Sequence, residues 1–281
     1  MDRLYQMKHP GRLASKLHHY GFGEARFMWW WWQDIINFGD WVGPELFVFR
    51  TNSLPILAPV YERPSKSTVH LAAGSILTGV RAPDTAVVWG SGVMDGQRNF
   101  AQPKEIRAVR GPLTRKRCLD QGYACPEVYG DPGILMSDIY DESDASEAAD
   151  VGIIPHFQDR EAAKKHFGMR DDVKIIDVRR PAGAVVADIL SCRTIFSSSL
   201  HGLIVSHAFN RRALRIEFDH PLAGDGTKFH DHYMAMGFEA APDPVIIGPD
   251  VEFDDLLRQA RALPCPDVEF LRGPLRDACP F

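Results

Sequence analysis

The sequence predicts an α/β protein built as two linked Rossmann-like halves, and three observations predict it. Short apolar runs rich in β-branched and aromatic residues alternate with helix-like stretches along all 281 residues, which is the pattern of βαβ units and a parallel sheet. Runs such as AVVW (86–89) are apolar at successive positions, as expected of strands covered on both faces. Between two such series lies YDESDASEAAD (140–150), acidic and small. It has nothing to bury and reads as a linker, so the halves are placed at 1–145 and 146–281.

Taken in order, strands are expected at 26–32, 68–72, 85–89 and 105–109, then at 151–155, 173–177, 194–197, 213–218 and 244–247. Helices are expected at 43–51, 112–121, 158–167, 182–191, 199–209 and 253–262. Pro112 suits the first turn of its helix, and the serines at 197–199 suit a cap. The first strand holds four consecutive tryptophans, 29–32. Side chains alternate across a strand, so alternate members face an interface or a cleft. Stacking on a sugar ring is the functional alternative.

The balance of 45% hydrophobic and 25% charged residues is ordinary globular usage and excludes a disordered or fibrous chain. A formal net charge of −5 gives no general attraction to nucleic acid or to an acidic membrane, so any bound anion needs a local site. The five cysteines include no C-x-x-C pair, which suits reduced thiols. No stretch approaches the roughly 18 apolar residues of a membrane span, and the N-terminus lacks a signal-peptide core. The expectation is a soluble cytoplasmic protein.

Six segments could carry chemistry. Asn37-Phe38-Gly39-Asp40 follows the tryptophan strand at the carboxyl end of a parallel strand, where α/β folds place ligands. The same residues are also good turn and cap formers. Gly90, Ser91 and Gly92 follow a second buried strand, where two glycines let a backbone approach a ligand closely. The segment fits neither the dinucleotide fingerprint nor the serine-hydrolase elbow. Arg110 stands beside a helix start at Pro112, where the free amides and the dipole favour an anion. Its planar fork suits phosphate or carboxylate, although a surface ion pair is the alternative. Gly130-Asp131-Pro132-Gly133 alone reads as a turn. In Ser197-Ser198-Ser199-Leu200-His201 a strand runs into a capped helix whose first turn holds His201, a candidate proton donor or phosphate ligand. Finally, His230 and His232 flank Asp231 after Lys228. Residues two apart on a helix do not share a face, which argues against a metal.

Together these segments resemble the polysaccharide pyruvyl transferase family. The resemblance rests on NFGDWVGPEL (37–46), WGSG (89–92), AVRGPLTR (108–115), GDPGILM (130–136), SSSLHGLIVSHAF (197–209) and KFHDHYMAMG (228–237), in an order that spans nearly the whole chain. Bacterial exopolysaccharide members, such as those of succinoglycan synthesis, are the most similar. The resemblance implies two Rossmann-like domains facing a cleft, as in GT-B glycosyltransferases, with the first domain on the acceptor side and supplying part of the donor site, and the second on the donor side. It implies phosphoenolpyruvate as donor and a pyruvate ketal on a sugar of an exopolysaccharide or cell-surface glycan precursor, lipid-linked acceptors included. Such an acceptor would bring the protein to the inner face of the membrane. No metal or organic cofactor is implied, no nucleic acid partner, and no oligomeric state.

Residue by residue, the resemblance carries a donor-binding role onto Arg110 and Thr114, and onto Ser199, Leu200 and His201. Some members carry an arginine where this chain has Ser199, and Arg115 or Lys228 is a candidate replacement. Ketal formation needs cations for phosphate and carboxylate, an acid for the vinyl carbon and a base for the hydroxyls. Arg110 is assigned to the anionic groups, His201 to phosphate binding or acid work, and Asp40 to the acceptor hydroxyl. Asn37, Gly39, Gly90, Ser91, Gly92 and Lys228 complete the expected binding residues. The rivals are a nucleotide-sugar glycosyltransferase, for which Glu217 and Asp219 lie near a strand end, and a non-catalytic scaffold of a polysaccharide assembly complex.

Overall fold

The computed structural model describes residues 27–30, 37–58, 60, 68–142, 149–219 and 224–281. The first sheet comprises β1 (Phe27–Trp29), β2 (Ile56–Leu57), β3 (Val69–Leu71), β4 (Ala86–Trp89) and β5 (Glu105–Ala108), in the order β2-β1-β3-β4-β5. The second comprises β6 (Ala149–Ile154), β7 (Val173–Ile175), β8 (Cys192–Ser197), β9 (Arg212–Glu217) and β10 (Val245–Ile246), in the order β10-β9-β8-β6-β7. Every pairing is parallel. Counted from its own first strand, each sheet has the doubly wound order 2-1-3-4-5. In such sheets the crevice for ligands opens at the carboxyl ends, between the first and third strands. That places attention on the ends of β1 and β3 in one sheet and of β6 and β8 in the other.

The helices are α1 (Phe38–Thr51), α2 (Pro112–Asp120), α3 (Arg160–Phe167), α4 (Ala182–Leu190), α5 (Leu200–Ala208), α6 (Thr227–Ala235), α7 (Phe253–Ala262) and α8 (Glu269–Asp277). α1 starts at Phe38 rather than at the expected 43 because Asn37 caps it, its side chain accepting from the Gly39 amide. The expected regular alternation breaks in the first half. β3 reaches β4 through a short 3-10 turn, Leu77–Gly79, and no helix separates β4 from β5. β2, α6 and α8 add to the expected elements. The expected boundary at 145/146 falls among residues outside the described ones.

One buried cluster contains Met28, Phe38 and Trp89 from the first half with Ile154, Leu203 and Leu275 from the second. α8 closes the molecule: the Trp89 indole N–H donates to the Leu275 carbonyl at 2.7 Å, and Arg276 holds Asp138 through two nitrogens. Phe281 then packs against Phe47 and Trp89, with ring centroids at 4.8 and 5.2 Å. Of the tryptophan run, Trp29 and Trp30 are buried, Trp30 against Trp41 with centroids 5.6 Å apart. Both are core residues; Trp31 and Trp32 lie outside the described residues.

Candidate functional site

β8 ends at Ser197 and the chain turns through Ser198 and Ser199 into α5. Ser199 takes an extended backbone and caps the helix, its Oγ accepting from the Gly202 amide at 3.5 Å. Ser198 is held from below: its hydroxyl donates to Asp159 and accepts from the His156 amide at 2.9 Å. This fixed turn places His201 in the first turn of α5, where helix dipole and amides favour an anion. Leu200 beside it is buried.

Residues from the first sheet surround the imidazole. A Cβ built on Gly39 would lie 2.3 Å from His201 Nδ1, so only glycine lets α1 approach this closely. Gly74, after β3, lies on the other side, its Cβ position 3.7 Å from His201 Cε1, and the Phe38 ring meets the imidazole edge-on at 6.5 Å. Asp131 Oδ2 stands 3.6 Å from His201 Nε2, within charge attraction but beyond hydrogen-bond reach. His201 Nε2 is buried without a hydrogen-bond partner. The carboxyl ends of β1, β3 and β8 therefore meet at one imidazole.

Asp131 is fully buried and accepts from the Gly74 amide at 3.0 Å and the Gly133 amide at 2.9 Å. Burial pushes its carboxyl up, but His201 and these two amides outweigh burial and hold it below the ordinary carboxylate range. Asp40, in the first turn of α1, shows the opposite balance. Burial raises it to about 7, against the lowering effects of His201 and of a bond to Asn37. Two carboxyls near one imidazole are thus driven apart, one a permanent anion and one poised near neutrality.

Arg110 is wholly buried, and its guanidinium is engaged inside the protein. Nε donates to Asp231 at 3.1 Å, Nη1 to Ser75 Oγ at 2.6 Å and Nη2 to the Val93 carbonyl at 2.7 Å. Asp231, from α6, also accepts from the Leu113 and Thr114 amides at the start of α2 and from Thr114 Oγ1 at 2.6 Å. A carboxylate on orphan helix amides is a favourable pairing. Thr114 Oγ1 accepts from the Val93 amide, so Thr114 is a strut. Gly90 (φ +80°) leaves room for Pro132, and a Cβ on Gly92 would lie 2.3 Å from Arg110 Cζ. Ser91 Oγ donates to the Gly74 carbonyl at 2.9 Å. Ser91 and Arg110 thus brace the Gly74–Ser75 loop, whose Gly74 faces His201.

Lys228, at the start of α6, is buried near Arg110 and Arg215. Burial first, then those two charges, pull its ammonium down to about 8, with Glu217 opposing. Arg115 donates to the Cys125 carbonyl at 3.2 Å and pairs with Glu127 at 3.3 Å. His232 stacks on His207, with His207 Nδ1 3.0 Å from His232 Nε2, and His230 accepts from the Ala241 amide. Among the described residues no group of three or more His, Cys, Asp or Glu could hold a metal ion. Glu217, a candidate ribose clamp, is engaged by Arg215 at 2.6 Å. Asp131, Ser75 and Asp231 are the site residues that sequence reasoning missed. The signal for Asp131 was present as a cap residue before Pro-Gly, but its partners lie far away in the chain.

Doubly wound parallel sheets whose strand ends converge on an imidazole and two carboxyls define an α/β protein with its candidate ligand site at the carboxyl ends of its strands. A model of the polysaccharide pyruvyl transferase family matches residues 79–220, half of the chain, and the chain belongs to that family of transferases. The matched span holds Arg110, Asp131 and His201 but neither Asp40 nor Lys228. An uncharacterised protein of Acanthamoeba polyphaga mimivirus is 30% identical over 161 residues, which cover 54% of this chain and 55% of that protein. The chain thus spans about half the length of the curated relative it matches. No solved structure matches. Among the described residues no helix is long and apolar enough to cross a membrane.

Proposed function

We propose that this protein moves the pyruvyl group of phosphoenolpyruvate onto two hydroxyls of a saccharide in a surface-glycan precursor, forming a ketal and releasing phosphate. The observation that carries this reading is His201: a buried imidazole whose Nε2 makes no hydrogen bond, at a helix N-terminus, 3.6 Å from Asp131 and near enough to Asp40 to lower its pKa. His201 donates a proton to the donor's methylene carbon while an acceptor hydroxyl oxygen bonds to the adjacent carbon. Asp131 stands 3.6 Å from the imidazole and holds it in place for that step, and Asp40 takes the hydroxyl proton. A second hydroxyl oxygen then bonds to the same carbon as the carbon–oxygen bond to phosphate breaks, and its proton leaves with phosphate or solvent. Electrostatic preorganisation of this kind is commonly the largest catalytic term. Arg110 contributes as a positioning residue, holding Ser75 and α6 in place.

In this reading the halves 1–145 and 146–281 act as acceptor and donor domains in a GT-B-like arrangement, working in the cytoplasm on a soluble or lipid-linked acceptor. The test is incubation with phosphoenolpyruvate and an exopolysaccharide repeat unit, following phosphate release and the ketal methyl signal by NMR. Stoichiometric phosphate and ketal are the expected result, and the chemistry requires no metal, so both persist in EDTA. Release of a nucleoside diphosphate from a nucleotide sugar, with no ketal formed, would overturn the reading.

A further inference from the structure

Arg215 sits on β9 directly beside the end of β8, in register with Ser197, at the carboxyl edge where the serine turn begins. It is a buried cation, 7% exposed, in a strand whose other face is apolar core through Leu214 and Ile216. Its guanidinium lies over the Phe229 ring at 4.1 Å, and Nη2 donates to Glu217 at 2.6 Å. Nε is buried with no hydrogen-bond partner. A buried guanidinium N–H left unpaired costs free energy comparable to the desolvation of a polar group. The Lys228 ammonium lies above the same Phe229 ring at 5.3 Å. Two cations thus share one aromatic wall beside the turn that leads into His201. Glu217 is partly exposed at 27% and can exchange its contact for water.

The geometry points to Arg215 and Lys228 as a phosphoryl-binding subsite, which takes the donor's phosphate in the reaction proposed above and rests on that reading. The ring backs the guanidinium at 4.1 Å, and the edge formed by Nε and Nη2 is the two-pronged donor set that matches a phosphate. A dianion there satisfies Nε and replaces Glu217 on Nη2. Lys228 adds a point charge, and its depressed ammonium, near 8, makes the subsite weaken at alkaline pH. Lys228 came out of the sequence as a candidate; Arg215 did not, because an arginine inside an apolar strand gives no sign of which way it faces.

Isothermal titration of the full-length protein with inorganic phosphate and, separately, phosphoenolpyruvate tests the subsite, with Lys116→Gln as a surface control. Binding of both ligands, weakened tenfold or more by Arg215→Gln, unchanged by Lys116→Gln and falling above about pH 8 in the unmutated protein, supports it. Equal affinity of Arg215→Gln and the unmutated protein for both ligands overturns the subsite and leaves pyruvyl transfer standing. Arg215-dependent binding of phosphate without any binding of phosphoenolpyruvate keeps the anion subsite and removes the donor reading. Binding of neither ligand overturns the subsite. Should Arg215→Gln not fold, Glu217→Gln serves instead: it releases the guanidinium, and phosphate affinity rises several-fold, whereas an unchanged or lower affinity overturns the proposal.

Discussion

At the scale of single residues, the site depends on close approach and on two opposed carboxyls. Gly39→Ala places a methyl 2.3 Å from His201 Nδ1, where neither α1 nor the imidazole can give way without moving the other. We expect at least a ~100-fold loss of kcat, the usual cost of a misplaced acid–base group, in a protein that still folds. Gly248→Ala, whose added Cβ meets nothing within 4 Å, is the control. Asp40, raised to about 7 by burial, must be ionised to act as a base. The proposed transferase therefore loses kcat/KM as pH falls below about 7, and Asp40→Asn abolishes that limb together with most of the rate. A profile whose acidic limb survives in Asp40→Asn would remove Asp40 from the mechanism. His201 and Asp40 were legible because a strand-to-helix turn is a local signal. Asp131 was not: it accepts from the amide of Gly74, 57 residues away, and stands by the imidazole of His201, further along the chain, so GDPG read correctly as a turn conceals an anion beside the imidazole.

At the scale of elements, α5 and α6 are joined by two buried histidines. Burial lowers His207 to about 3, and burial together with His207 lowers His232 well below the ordinary range. Both are neutral in the folded protein, whereas the unfolded chain binds protons on them below about pH 6.5. Stability therefore falls as pH drops from about 6.5 towards 3, by up to ~1.4 kcal/mol per pH unit for each fully buried group. Asp40 opposes this, since its raised pKa favours the folded state as pH falls from about 7 towards 3.8. Two histidines against one carboxyl leave a net loss. Urea midpoints at pH 7 and pH 5 measure it, and a double His207→Gln, His232→Gln variant removes the loss, leaving the opposing contribution of Asp40. An equal slope in that variant would place the acid sensitivity elsewhere. The neighbouring Arg110–Asp231 pair is a second buried link: Asp231→Asn leaves a buried guanidinium short of its counter-charge and costs about 3–5 kcal/mol. Most elements were legible from the alternation of apolar strands with helical stretches. α6 was not, because Lys228, Asp231 and His232 are buried and give its sequence a polar look without an exposed face. α8 was hidden by Gly273 and Pro274.

At the scale of the whole molecule, the two-sheet plan was legible, but the closure by α8 was not, and the closure decides how the chain unfolds. Leu275 is fully buried; its carbonyl accepts the Trp89 indole N–H, and its side chain lies 3.1 Å from the Cβ position of Gly130. The second half of the sequence thus supplies part of the floor under the first sheet. Leu275→Ala removes apolar contacts on both sides at a cost of about 2–5 kcal/mol. All six tryptophans precede residue 90, so indole fluorescence reports the first half of the chain and, through Trp89, its bond to Leu275, while amide exchange on β6 and β8 reports the second sheet. With one core cluster running through both halves, the two probes give coincident transitions and move together by the same amount in Leu275→Ala. A fluorescence transition that shifts while exchange on β8 stays where it was would show two independently folding units, and α8 would then be a latch on the first rather than part of a common core.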